Sequence, residues 1–272
     1  MRPVLRVLFS VVATLHVGLA PAAGDPDLQR WVDGPQRSEA NRQRDAARQP
    51  VDTLAFFGVR ADQTVVEIWP SVGVWWLEIL APYLRDKGEY IAALHAGAHN
   101  PPAAKAEHDV VEARIAQSPA LYGKLRIAHS PGLPESVRPD SVDVLLTFSN
   151  LHNWIVDGNV EDVVREFHTV LKPGGVLGVV DHRGRADLSR KAQLDSGYLA
   201  EDEVVAMIEK VGFKLVARGE MAANPRDTKD HAAGVWSLPP TLRMKDVERA
   251  RFLAIGESDK FTLKFVKVAA PR

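Results

Sequence analysis

Thr64-Val65-Val66-Glu67-Ile68, followed by Trp69-Pro70-Ser71-Val72-Gly73, is the stretch that decides the fold. The first five residues are a short β-branched run, as in a buried strand. Beyond them Val72, Trp75, Trp76, Ile79, Leu80, Tyr83 and Leu84 recur at helical spacing, with Pro82 as a point of kinking and Lys87-Gly88 as the stop. Strand, turn and helix in this order make the first half of a crossover unit.

Working outward, the same alternation continues. Strands are expected at 89–94, 125–128, 142–148, 176–180, 213–218 and 261–268. Helices are expected at 103–116, 160–171 and 201–211, with Lys172-Pro173-Gly174-Gly175 ending the second of these by breaker chemistry. Such alternation implies a parallel sheet with right-handed crossovers. In an open, doubly wound sheet, ligands bind outside the carboxyl ends of the strands, near the reversal of strand order. The segments to inspect are therefore 67–73, 94–99, 129–132, 149–154 and 181–185.

Composition narrows the classes. The chain has 272 residues, with 34 Lys+Arg against 35 Asp+Glu, so no general positive field is available to hold a nucleic acid. It has no cysteine, which excludes disulfides, thiolate metal sites and a cysteine nucleophile. Residues 1–22 read as an export signal: Arg2 and Arg6, an apolar run from Val7 to Ala20, then Ala20-Pro21-Ala22 as a cleavage pattern. The alternative is an uncleaved N-terminal anchor. Export to the periplasm is the expected destination, and no later segment approaches a membrane span. Residues 23–50 are polar. Ser38 caps an expected helix over 39–49, stopped by Pro50, whose charged face (Arg42, Arg44, Asp45, Arg48) is either solvated or a lid over a neighbouring crevice. A single domain is expected over 51–272.

The layout resembles the class I S-adenosylmethionine-dependent methyltransferases over residues 51–268. The resemblance rests on Val65-Val66-Glu67 before a turn and helix, Ser141 to Leu146 before a loop, and Leu171-Lys172-Pro173-Gly174-Gly175-Val176-Leu177. Glu67-Ile68-Trp69-Pro70, Leu151-His152-Asn153-Trp154, Val179-Val180-Asp181-His182-Arg183 and Ile255-Gly256-Glu257-Ser258-Asp259 are similar to a group of predicted bacterial methyltransferases with export signals. The resemblance implies a Rossmann-like sheet of seven mostly parallel strands with the last antiparallel. It also implies S-adenosylmethionine as cofactor, with Glu67, Trp69, Ser71, Gly73, Leu94, His95 and Asn150 around it. Trp69 and Ser71 stand where that family has the first two of three glycines. Leu94-His95 stand where a carboxylate normally holds the ribose, and His129-Ser130 replace an acid often found after the third strand. Trp69 or Trp75 is then a candidate to cover the sulfonium by cation–π attraction.

Methyl transfer is an in-line displacement that holds acceptor and methyl carbon at about 3–3.5 Å and often removes a proton from the acceptor. His152, followed by Trp154, is similar to the His-x-Trp of some O-methyltransferases and is the candidate base, with Asp181 to orient it or hold substrate. His95, His99 and Asp181-His182 offer metal-ligand chemistry but match no accepted motif, so no metal is assigned. The segment 224–240, polar with Trp236 inside it, is expected to wall the substrate pocket. Two function classes follow: a methyltransferase of unknown acceptor, or a non-catalytic or differently liganded Rossmann-like protein of the cell envelope.

Overall fold

The computed structural model describes residues 25–96 and 101–268; the expected leader at 1–22 and His99 lie outside them. Seven strands form one sheet: β1 (Thr64–Ile68), β2 (Glu89–His95), β3 (Arg126–Ser130), β4 (Val142–Phe148), β5 (Leu171–His182), β6 (Phe213–Gly219) and β7 (Lys260–Lys267). Their order is β3-β2-β1-β4-β5-β7-β6. All run parallel except β7, which pairs antiparallel with both β5 and β6. This is the expected architecture, and its strand order reverses between β1 and β4.

Alternation along β1 splits the core. Val66 and Ile68 join one apolar layer with Val163, Val164, Phe167, Val204 and Ile208; Val65 joins the other with Leu54, Phe57, Ile79 and Leu80. Helices Val160–Val170 and Glu201–Lys210 thus cover one face, and Pro50–Phe57 and Leu77–Leu84 the other. Gly178 in β5 permits the second layer to close. A Cβ there would stand 2.7 Å from Leu146 Cδ2 and 2.8 Å from the Phe57 ring, so only glycine fits under that helix.

Four local readings need correction. Pro50 opens a helix (Pro50–Phe57) instead of stopping one, because its fixed φ suits the first turn and its missing N–H costs nothing there. The expected helix over 39–49 is two short turns, Glu39–Arg42 and Asp45–Arg48. Residues 71–76 form turns, and the helix begins only at Leu77. Lys172-Pro173-Gly174-Gly175 lies inside β5, where the register against β4 shifts between Val142 and Val144. The helix Arg249–Ile255 carried no signal that was read.

The N-terminal turns pack on the molecule through polar contacts. Arg37, buried, grips Asp45 with two nitrogens at 2.6 and 2.7 Å. Asn41 Nδ2 donates to the Gly73 carbonyl and to Glu78 Oε2, both at 2.9 Å. Of their charged face, Arg44 and Arg48 turn toward the sheet edge, while Arg42 stays partly in solvent. Among the described residues no helix is long and apolar enough to cross a membrane.

Candidate functional site

Outside the carboxyl ends of β1, β4 and β5 lies a pocket of about 510 Å³, within the usual range for small-molecule sites. Glu67, Trp69, Ser71, Gly73, Asn150 and His152, all expected from the sequence, line it. So do Trp76 and Phe148, stacked with centroids 4.2 Å apart, and Trp236, Pro239 and Pro240 from the segment expected to wall it. The first half of that segment does something else. Asp227 is buried, accepts from Tyr198 Oη at 2.8 Å and from the Asp259 N–H at 2.8 Å, and pairs with His231 Nε2 at 2.9 Å. It is a packed hub that holds the wall in place.

The loop expected at 149–154 is a helix, Leu151–Asp157, begun at Asn150. Asn150 Nδ2 donates to the Ile68 carbonyl at 2.9 Å, tying the end of β4 to the end of β1 across the reversal point. The start of this helix meets the end of β5. Asp181, with no exposure, accepts from the Leu151 N–H (2.8 Å), the His152 N–H (3.4 Å) and the His182 N–H (2.7 Å), and lies 3.0 Å from His152 Nδ1. Burial alone would raise the Asp181 carboxyl; the His152 ring, with His182, overrides it and holds the group below its ordinary value. With Nδ1 donating to Asp181, the other His152 nitrogen, Nε2, is the acceptor.

His182 Nδ1 sits 2.6 Å from Ser258 Oγ, and burial pushes this ring down to about 3, so it is neutral. One atom each of His152, Asp181 and His182 come within 4.8 Å of one another. The oxygens of Asp181 are already engaged by backbone and imidazole N–H groups, which is the arrangement of an orienting carboxylate.

Glu67 faces the same pocket. The Tyr90 hydroxyl donates to it at 2.6 Å. Burial raises its carboxyl to about 8; the Tyr90 bond offsets part of this and nearby Glu107 adds to it. Glu67 therefore carries a proton at neutral pH.

The expected cofactor residues divide. Glu67, Gly73 and Asn150, at the amino-acid end, line the pocket. Leu94 and His95, at the ribose end, do not. Leu94 is fully in the core. His95 stacks on Trp69 with centroids 3.8 Å apart and rings 15° from parallel. Glu107, 1% exposed, reaches in from the helix Pro101–Gln117 and locks this corner. It accepts from the Ser71 N–H at 2.7 Å and the His95 N–H at 2.9 Å. Trp69 Nε1 completes the closure by donating to the Ser130 carbonyl at 2.9 Å. The residues expected around the cofactor thus reach the pocket from β1 and β4, while side chains fill the place expected for its ribose over β2.

The backbone retains what the glycines would have supplied. Trp69 and Ser71 have φ of +51° and +62°, the left-handed region that glycine enters freely and other residues rarely. Both candidates for the sulfonium cover, Trp69 and Trp75, line the pocket and already have ring partners. The Trp75 ring already carries the guanidinium groups of Arg37 and Arg48 at 4.8 and 4.9 Å, and one face of Trp69 is taken by His95.

Sequence reasoning missed Tyr90, Glu107, Lys260 and the use of Arg44 and Arg48. Arg44 Nε (2.7 Å), Arg48 Nε (3.3 Å) and Lys260 Nζ (2.9 Å) converge on Glu257, and all four line the pocket. Glu257-Ser258 stands out in the sequence only by resemblance, and Glu107 sits on a polar helix with no periodic signal.

No protein-family model and no curated protein matches the chain. Solved structures do. A S-adenosylmethionine-dependent methyltransferase from Aquifex aeolicus aligns at 15% identity and TM-score 0.55, over 90% of this chain and 99% of its own. An arsenic(III) S-adenosylmethionine methyltransferase from Chlamydomonas reinhardtii aligns at 14% and 0.53, over 92% and 75%. The [4+2]-cyclase SpnF aligns at 13% and 0.57, over 89% and 92%. The chain therefore has the Rossmann-like fold of the class I methyltransferases. Identities this low speak for the fold, and the fold hosts more than one chemistry.

Proposed function

We propose that this chain is a S-adenosylmethionine-dependent methyltransferase that acts on a small molecule held in the 510 Å³ pocket. The observation that carries the reading is the His152–Asp181 pair, 3.0 Å apart, with His152 lining the pocket that Glu67, Gly73 and Asn150 also line. His152 Nε2 receives the acceptor's proton; Asp181 fixes the ring and stabilises the imidazolium that forms. Protonated Glu67 offers a hydrogen-bond donor within the same pocket. Trp76, Phe148 and Trp236 give the acceptor an apolar bed and keep bulk water from the base. Bound S-adenosylmethionine would supply an electrophilic methyl group on sulfur. The reading requires its nucleoside to lie inside this pocket, because Glu107, His95 and Trp69 occupy the corner over β2. Export to the periplasm, from the leader at 1–22, belongs to the same proposal.

A second reading, a differently liganded protein of the cell envelope, is favoured by that closed corner. Calorimetric titration with S-adenosylmethionine and S-adenosylhomocysteine separates the two. Binding of both supports the first; no heat at millimolar ligand removes it. Where binding is seen, S-adenosylhomocysteine release is measured against a panel of phenol, catechol and carboxylate acceptors. His152→Ala is expected to lower that release by about 10²–10⁴-fold with unchanged cofactor affinity. Equal release in the variant would end the base assignment.

A further inference from the structure

The cluster around Glu257 is unbalanced. Three cationic side chains, Arg44, Arg48 and Lys260, meet one carboxylate. Burial would raise that carboxyl, but Lys260, Arg48 and Arg44 hold it well below its ordinary value, so it is ionised. Glu67, the pocket's other carboxylic side chain, keeps its proton at neutral pH. Basic side chains therefore outnumber carboxylates in the cluster, in a site largely withdrawn from water. Burial of uncompensated charge is costly and is maintained where a ligand completes it. Burial lowers both Arg48 and Lys260 from their ordinary values, the direction expected of cations short of a counter-charge.

Geometry shows where that charge is offered. Both arginines meet Glu257 through Nε, so the terminal nitrogens, the fork that receives carboxylate or phosphate, are not used in that pair. Arg44 is 23% and Arg48 19% exposed, and both lie on the pocket lining. Trp76, stacked on Phe148, lines the same space, and its buried indole N–H has no partner. An indole donor and an apolar stack thus adjoin a cationic end.

We propose that Arg44, Arg48 and Lys260 form an anion subsite, and that the molecule this pocket takes up joins a carboxylate or phosphate to a planar apolar body lying against Trp76 and Phe148. The inference rests on this pocket being the functional one, and is independent of His152 acting as base. It also gives the N-terminal segment a use, since residues 39–48 bring two of the three cations to the site.

The test is calorimetric titration of the full chain with phenyl phosphate, inorganic phosphate and phenol. Phenyl phosphate is expected to bind most tightly of the three, and more weakly as salt rises. Arg44→Gln and Arg48→Gln should each weaken it roughly tenfold or more, with Arg44→Lys keeping part of the affinity. Glu257→Gln is the discriminating variant. It should tighten phenyl phosphate, and phosphate should raise its melting temperature more than it raises that of the wild type. A clamp that merely fastens the N-terminal turns predicts a loss of stability that no anion repairs, and that result overturns the proposal. Equal affinity for phenol and phenyl phosphate also overturns it. Equal affinity for phenyl phosphate and inorganic phosphate removes the planar body from it. Competition by S-adenosylhomocysteine identifies the source of the anion. Displacement of phenyl phosphate assigns the subsite to the amino-acid carboxylate of the cofactor; simultaneous binding assigns it to the acceptor. Anion binding that persists in a chain inert toward S-adenosylmethionine leaves the subsite standing and removes only the methyltransferase reading.

Discussion

Glu107 holds His95 at two points: one carboxylate oxygen lies 2.9 Å from its backbone N–H and 2.8 Å from Nδ1 of its ring. The other oxygen takes the Ser71 N–H at 2.7 Å. A single buried side chain from the helix after β2 therefore closes the sheet edge beside β1.

Glu107→Ala should open this corner. Each backbone donor left unpaired costs about 1–3 kcal/mol, so the melting temperature falls. Affinity for S-adenosylhomocysteine should rise roughly tenfold, because the nucleoside gains the space over β2. A destabilised variant with unaltered affinity would show that the lock is structural and excludes nothing.

Asp181→Asn tests the positioning of His152. An amide cannot accept all the N–H groups that converge on Asp181, and the loss should cost about 2–3 kcal/mol. It also removes the carboxylate that selects the His152 tautomer. Turnover should fall nearly as far as in His152→Ala, with cofactor affinity retained. Lower stability with normal turnover would confine Asp181 to a structural role.

Two buried groups give stability opposite pH dependences. Glu67 moves from an ordinary 4.5 to about 8 in the folded chain. Between those values the unfolded carboxyl is ionised while the folded one keeps its proton. Stability is therefore full below pH 4.5 and is lost as pH rises toward 8, by up to about 1.4 kcal/mol per pH unit. His182 moves from 6.5 to about 3, so its contribution is full above 6.5 and is lost as pH falls toward 3. In urea titrations from pH 4 to 9, the difference between Glu67→Gln and wild type should widen with rising pH and level off above 8. That for His182→Gln should widen only below 6.5. A pH-independent difference in either case would contradict the protonation state assigned.

Trp236→Ala removes a wall of the pocket. Its ring stacks under Arg243, whose guanidinium lies 4.4 Å from the ring centroid; a cation–π pair of this kind contributes about 0.5–1 kcal/mol. Stability should fall by at least that, since the half-buried ring also packs against His152 and Gly197, while phenyl phosphate binds roughly tenfold more weakly. Unchanged affinity in a folded variant would place the ligand against the Phe148 side alone.

Much of the fold was legible in local chemistry. The β-branched run at Thr64–Ile68 and the period of Val160, Val163, Val164, Phe167 and Val170 reveal strand and helix directly, since side-chain spacing alone determines which face is buried. Elsewhere local signals conflict. Pro50 reads as a stop because proline both ends and begins helices, and only the left-handed Gln49 before it, with φ of +41°, distinguishes the two. The sequence leaves charged Arg44 and Arg48 open between a solvated face and a lid because their counter-ion Glu257 is more than 200 residues away in the chain.

The sequence by itself determined the order of the seven strands along the chain, the edge of the sheet at which a ligand is expected, and the presence of His152, Asp181 and Glu67 on that edge. It also disclosed that Trp69 and Ser71 replace the expected glycines. Only the tertiary structure decided what those replacements do. Glu107, Tyr90 and Lys260 lie on elements distant in the chain, and they meet the site because the sheet brings strand ends together across β2, β1, β4, β5 and β7. Periodicity records which side of an element is buried, but not which buried groups face one another. That pairing closes one corner of the site and leaves three cations around a single carboxylate, while burial keeps the proton on Glu67.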